Sequence, residues 1–96
     1  MAELFSLGQV VMTASIDVLL KDETSELSND SLTKLIYRHQ SGDDGDVCDE
    51  DHQSNQHAIE QGDLRIFSVY KLETVTIWII TEHDNSYTTV LLPADY

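Results

Sequence analysis

The apolar positions change period along this chain, helical in the first two thirds and strand-like in the last. Leu4, Phe5, Leu7, Val10, Val11 and Met12 form a first apolar run whose β-branched end predicts a short strand. Ile16, Leu19 and Leu20 then recur at i, i+3 and i+4 behind Ser15, which can cap a short helix and leaves Asp17, Lys21 and Asp22 toward water. Residues 21–30 read as a polar loop. Ser28 or Asn29 starts a second helix with Leu32, Leu35 and Ile36 on one face, and Gly42 ends it. His39 continues that stripe, which predicts a half-buried structural histidine. A third helix is expected behind Asp46 as its cap, with Asp49, Glu50 and Asp51 in its first turn and Gly62 closing it.

Beyond Gly62 the segments 64–72, 74–81 and 87–92 are rich in Ile, Val, Thr, Tyr and Trp, and links short enough for hairpins separate them. They predict three strands. Val75, Ile77 and Ile79 face one way and Trp78 and Ile80 the other, so the middle strand is apolar on both faces and suits a central position. The expected fold is α+β: a three-stranded antiparallel meander, open to a further strand from the N-terminal run, with about three helices packed on one face. No repeat or Pro-rich linker divides the chain, so residues 1–96 read as one domain.

Charge changes this picture from fold to partner. Eighteen Asp and Glu face five Lys and Arg, a formal net charge of -13, while 41% of the residues are hydrophobic, enough for a folded domain rather than an acidic tail. Such a charge repels DNA, RNA and anionic membranes, so neither direct nucleic-acid binding nor membrane association is expected. The partner should be basic. Because no stretch approaches eighteen apolar residues and the start lacks a positively charged region ahead of a hydrophobic run, the chain reads as neither exported nor membrane-spanning. The single cysteine, Cys48, cannot form an internal disulfide, which fits the cytosol.

Between Arg38 and Arg65 there is no Lys or Arg, yet there are eight acids: Asp43, Asp44, Asp46, Asp49, Glu50, Asp51, Glu60 and Asp63. On a helix over 46–63, Asp46, Asp49, Glu50, Glu60 and Asp63 fall within an arc of roughly 140°, opposite Val47, Cys48, Ala58 and Ile59. Asp51 falls on the apolar side. Such a helix would run roughly 25 Å, a length over which a nucleic-acid strand carries about seven phosphates. Carboxylates at that spacing can occupy a basic groove built for a nucleic-acid backbone, with fast electrostatic association. The plain alternative is a solvated face that keeps a small protein soluble. Asp43, Asp44, Asp46, Asp49, Glu50, Glu60 and Asp63 are the candidate partner-binding residues.

Other chemistry has thinner support, and neither a metal nor a cofactor is expected. A calcium loop starting at Asp44 would put Cys48 at its fifth position and Asn55 at its twelfth, where oxygen ligands are required. Cys48 and His52 are one helical turn apart, but His57 points elsewhere and no second cysteine pair completes a zinc site. His39 with Asp43 or Asp44, or Glu82 with His83 and Asp84, could supply acid and base groups for a small hydrolase. No Gly-rich phosphate loop, nucleophile elbow or HExxH motif accompanies them, and the acids around Cys48 oppose a thiolate nucleophile. The sequence argues against an enzyme.

The run Arg38-His39-Gln40-Ser41-Gly42-Asp43-Asp44-Gly45-Asp46 resembles a family of small plasmid- and prophage-associated proteins of unassigned function. Trp78-Ile79-Ile80-Thr81-Glu82 and Thr88-Thr89-Val90-Leu91-Leu92-Pro93-Ala94-Asp95-Tyr96 carry the same resemblance, which spans the chain from Phe5 to Tyr96. That family usually has Trp where this chain has Asp44, a departure that adds charge at the turn. In size, charge and lack of a catalytic signature the chain is also similar to the acidic anti-restriction and anti-CRISPR proteins of phages, which imitate DNA. The resemblance implies an inhibitor in the cytoplasm of a bacterial host. It would dock on the basic DNA-binding surface of a defence complex, the RNA-guided surveillance complex of a type I CRISPR system first and a restriction enzyme next. A non-enzymatic adaptor that uses a sheet edge, or Tyr70, Trp78 and Tyr87, is the alternative.

Overall fold

The helices begin and end where local chemistry satisfies their terminal backbone groups. In the computed structural model, which describes residues 3–62 and 64–96, the first helix, α1, spans Ala14–Lys21 behind Thr13 and not Ser15. Ser15 instead donates through Oγ to the carboxylate of Asp95 at 2.9 Å, so it ties the helix start to the end of the chain. The second helix, α2 (Asn29–Gln40), is opened by Ser28, whose Oγ accepts from the Ser31 amide while Ser31 Oγ accepts from the Ser28 amide. This reciprocal pair satisfies two otherwise orphaned donors. The third helix, α3, spans Asp49–Gln61 and stops at Gly62, whose φ of 72° is the left-handed conformation that glycine adopts without a Cβ penalty.

The sheet has four strands, β1 (Gln9–Met12), β2 (Ile66–Lys71), β3 (Thr76–Thr81) and β4 (Tyr87–Leu91), in the order β1-β4-β3-β2. β2, β3 and β4 form the expected antiparallel meander, but β1 adds a parallel pairing to β4, with Gln9 opposite Tyr87 and Met12 opposite Val90. The α+β class therefore holds, while a purely antiparallel three-stranded sheet does not. The N-terminal run fills the border of β4 that a three-stranded meander would have left open.

One sheet face carries the core. Ile16 of α1, Leu32 and Leu35 of α2, Leu27 from the loop between them, Tyr70, Ile77, Ile79 and Val90 form one buried cluster. α3 does not join α1 and α2 in that cluster. Its buried residues are Asn55 and Ala58, and Asn55 bonds to the backbone of Phe67, so α3 is docked along β2. The opposite face holds Phe67, Val69, Trp78, Ile80 and Leu91, with Tyr96 in ring contact with Trp78. None of the helices among the described residues is long and apolar enough to cross a membrane.

Candidate partner-binding surface

The free border of β2 decides what the first acids of the cluster do. Phe67, Val69 and Lys71 direct their outward backbone groups away from β3, and each finds a partner in the segment that carries the acids. The Val69 amide donates to the Asp44 carbonyl at 3.1 Å, and the Asp46 amide donates to the Val69 carbonyl at 2.7 Å. The Lys71 amide donates to Asp46 Oδ2 at 2.9 Å. Asn55 closes the remaining position: its Oδ1 accepts from the Phe67 amide and its Nδ2 donates to the Phe67 carbonyl. Unpaired strand borders invite pairing with other chains, and this one is sealed. Gly45 sits between the two acids at φ 69°, where a Cβ would lie 2.2 Å from the Val69 carbonyl oxygen.

The three acids of the turn are therefore tied to the fold. Asp43 accepts from Arg38 Nε at 2.8 Å and Nη2 at 3.3 Å. The guanidinium holds its carboxyl below the usual carboxylate range, and the Arg38 pKa is raised in return. Arg38 also lies 4.7 Å from the centre of the Tyr70 ring, and the Tyr70 hydroxyl donates to the Asp43 carbonyl at 2.6 Å. Burial pushes that hydroxyl up to about 12. Asp44 is buried, with Oδ2 at 2.7 Å from His52 Nδ1 and 3.0 Å from Asn55 Nδ2. A buried carboxylate needs such partners, and here they come from α3.

The expected helix over 46–63 is thus shorter at its start. Cys48, not Asp46, precedes the first helical residue, and it contributes no capping hydrogen bond. Asp49, Glu50 and Asp51 place negative charge at the helix N-terminus instead, where the backbone dipole favours it. Asp46 leaves the predicted carboxylate row because the border of β2 claims its side chain, and Asp63 lies outside the described residues. On the observed helix Asp49, Glu50 and Glu60 share an arc of roughly 100°, opposite Asn55 and Ala58. All three are exposed, and among the described residues none has an ion-pair partner. Asp49 and Glu60 are roughly 16 Å apart along the axis, a length that carries about five phosphates on one strand. The row is sparser than a phosphate strand but free of neutralising bases.

His39 is held inside the fold. Its Nδ1 lies 2.6 Å from Ser68 Oγ and its Nε2 2.8 Å from Thr81 Oγ1. Thr81 Oγ1 is 2.7 Å from Thr88 Oγ1, which donates to the Leu7 carbonyl at 2.7 Å. Since that proton is committed to Leu7, Thr81 must donate to Thr88 and accept from His39. The proton on the neutral ring is thereby assigned to Nε2, with Ser68 donating to Nδ1. Burial pushes the His39 pKa down to about 4, against the pull of the Asp44 charge. At 1% exposure the ring has no opening to a substrate. Glu82, His83 and Asp84 fall in the β3–β4 turn, where Asp84 accepts from the Ser86 amide. Among the described residues no group of three His, Cys, Asp or Glu is placed to hold a metal ion.

Asn55 is the residue that sequence reasoning passed over. Its position on the helix wheel, between Ala58 and Ile59 on the buried side, was the available signal, because a buried amide must have partners. No protein family, curated protein or solved structure matches the chain, so the functional case rests on this geometry.

Proposed function

We propose that this protein is a mobile-element inhibitor of a bacterial defence system, an acidic mimic of DNA. It occupies the basic DNA-binding surface of a type I CRISPR surveillance complex and blocks target DNA by one-to-one binding, without turnover. A restriction enzyme is the alternative target of the same surface. The supporting observation is the exposed row Asp49, Glu50 and Glu60 on α3, without ion-pair partners among the described residues, in a stretch of chain that contains no Lys or Arg. Asp43, Asp44 and Asp46 hold the turn and the border of β2, so they position α3 and contribute field rather than flexible contacts.

The test is the triple reversal Asp49→Lys, Glu50→Lys and Glu60→Lys, whose side chains point away from the core. Loss of inhibition with an unchanged circular dichroism spectrum supports the proposal; full inhibition by the reversed protein defeats it. The adaptor reading draws support from Trp78 and Tyr87 on the sheet face turned away from α1 and α2. It predicts binding that is insensitive to salt and abolished by Trp78→Ala.

A further inference from the structure

The sheet face opposite the core is hollowed where Tyr96 crosses it. A cavity of about 280 Å³ is lined by Arg65, Phe67, Trp78, Ile80 and Tyr96. Its walls are rings set edge to face: Phe67 and Trp78 lie 5.0 Å apart at 90°, and Trp78 and Tyr96 lie 5.7 Å apart at 66°. The strap is fixed from below. Asp95 accepts from Thr13 Oγ1, Ser15 Oγ and the Leu92 amide, which ties the segment before Tyr96 to the start of α1.

Arg65 is the one charged side chain of this lining, and its sign is opposite to that of the protein. Arg65 lies 5.8 Å from the Tyr96 ring centre and donates to the Tyr96 hydroxyl at 3.2 Å. Among the described residues no carboxylate is within ion-pairing distance of it, in a chain where acids outnumber Lys and Arg by 18 to five. Glu82 lines a second, smaller hollow that shares Arg65, Ile80 and Tyr96 with the first, and its charge reaches Arg65; the Trp78 hollow has Arg65 in its lining but not Glu82, so an anion is better placed there. We infer that the Trp78 hollow is a binding site for a small aromatic acid, a flat one- or two-ring group with a single carboxylate or sulfonate. The rings lie against Phe67, Trp78 and Ile80, and the anion meets Arg65. The volume is near the lower end of ligand sites, about 300 Å³, which limits the guest to that size.

Trp78 is the single tryptophan of the chain and forms a wall of the site, so its fluorescence reports occupancy directly. The probe is nitronaphthalene sulfonate, a flat two-ring anion, titrated into the folded protein, with uncharged nitronaphthalene beside it. Saturable quenching at one dye per chain is expected, with amide shifts confined to Phe67, Trp78, Ile80 and Tyr96 in nuclear magnetic resonance spectra. Arg65→Gln should weaken the sulfonate about tenfold and leave the neutral analogue unchanged, the loss of one charge-assisted contact. Non-saturable quenching, shifts spread over α1 and α2, or equal sulfonate affinity in a folded Arg65→Gln protein would overturn the assignment.

Discussion

Replacing Asn55 by alanine removes three hydrogen bonds at once and tests whether α3 is held to the sheet by this one side chain. Asn55 is 3% exposed; its Nδ2 bonds to Asp44 Oδ2 at 3.0 Å and to the Phe67 carbonyl at 2.6 Å, and its Oδ1 accepts from the Phe67 amide at 2.9 Å. Two amide–backbone bonds contribute about 1 kcal/mol each, and the bond to a carboxylate about 1.5–3 kcal/mol. Water entering the small space offsets part of that sum, so a loss of about 3 kcal/mol is expected. For a domain of this size that is a fall in Tm of at least about 12 °C. Urea unfolding followed by Trp78 fluorescence measures it, since Phe67 meets the Trp78 ring. Asn55→Asp should be worse than alanine at neutral pH, because it keeps the acceptor for the Phe67 amide but puts a second carboxylate beside Asp44. A cost below about 1 kcal/mol for alanine, or an aspartate variant as stable as the alanine variant, would mean that this side chain does not hold α3 to the sheet.

Acid should weaken the fold through His39, whose pKa falls from 6.5 to about 4 on folding. The unfolded chain then binds a proton that the folded one refuses, so stability present above 6.5 is lost as pH falls toward 4, by about 2 kcal/mol between about pH 7.5 and about pH 5. His39→Gln can accept from Ser68 and donate to Thr81 without titrating, so unfolding curves at the two pH values should show the wild type losing that much more than the variant. Gly45→Ala should cost at least about 2 kcal/mol in urea, because its Cβ would press on the Val69 carbonyl. Glu26 accepts from the Glu73 and Thr74 amides across the β2–β3 turn, and these bonds hold its pKa down. Glu26→Ala should therefore raise amide hydrogen exchange at Glu73 and Thr74 while leaving Ile77 and Ile79 protected.

The periodicity was a good guide wherever one face of an element meets the core. Leu32, Leu35 and His39 lie buried along one side of α2 as their spacing requires, and Gly62 ends α3 where expected. The strands over 64–92 fall within a residue or two of their predicted bounds because β-branched runs buried on both faces have few alternatives. The parallel partner of β1 was not legible: strand pairing between residues 78 positions apart, as for Gln9 and Tyr87, leaves no local pattern. The acids were misread at Asp44 and Asp46 for a related reason. Charge in a sequence predicts exposure, yet the Asp46 carboxylate serves the Lys71 amide at a strand border elsewhere in the chain, and Asp44 is buried with its carboxylate against His52 and Asn55 while its carbonyl takes the Val69 amide. The exposed acids of α3 were legible, since Asp49, Glu50 and Glu60 meet no such demand. The aromatic hollow was not, because Arg65, Trp78 and Tyr96 are brought together by the sheet and not by their spacing.

The proposed mimicry of DNA calls for an equilibrium competition between this protein and a labelled target duplex for a purified type I surveillance complex, at about 50 mM and about 200 mM salt. One protein per complex should displace the duplex, the duplex should displace the protein in return, and the protein's affinity should fall steeply as salt rises. A ternary assembly that holds protein and duplex together, with duplex affinity unchanged, would contradict the mimicry.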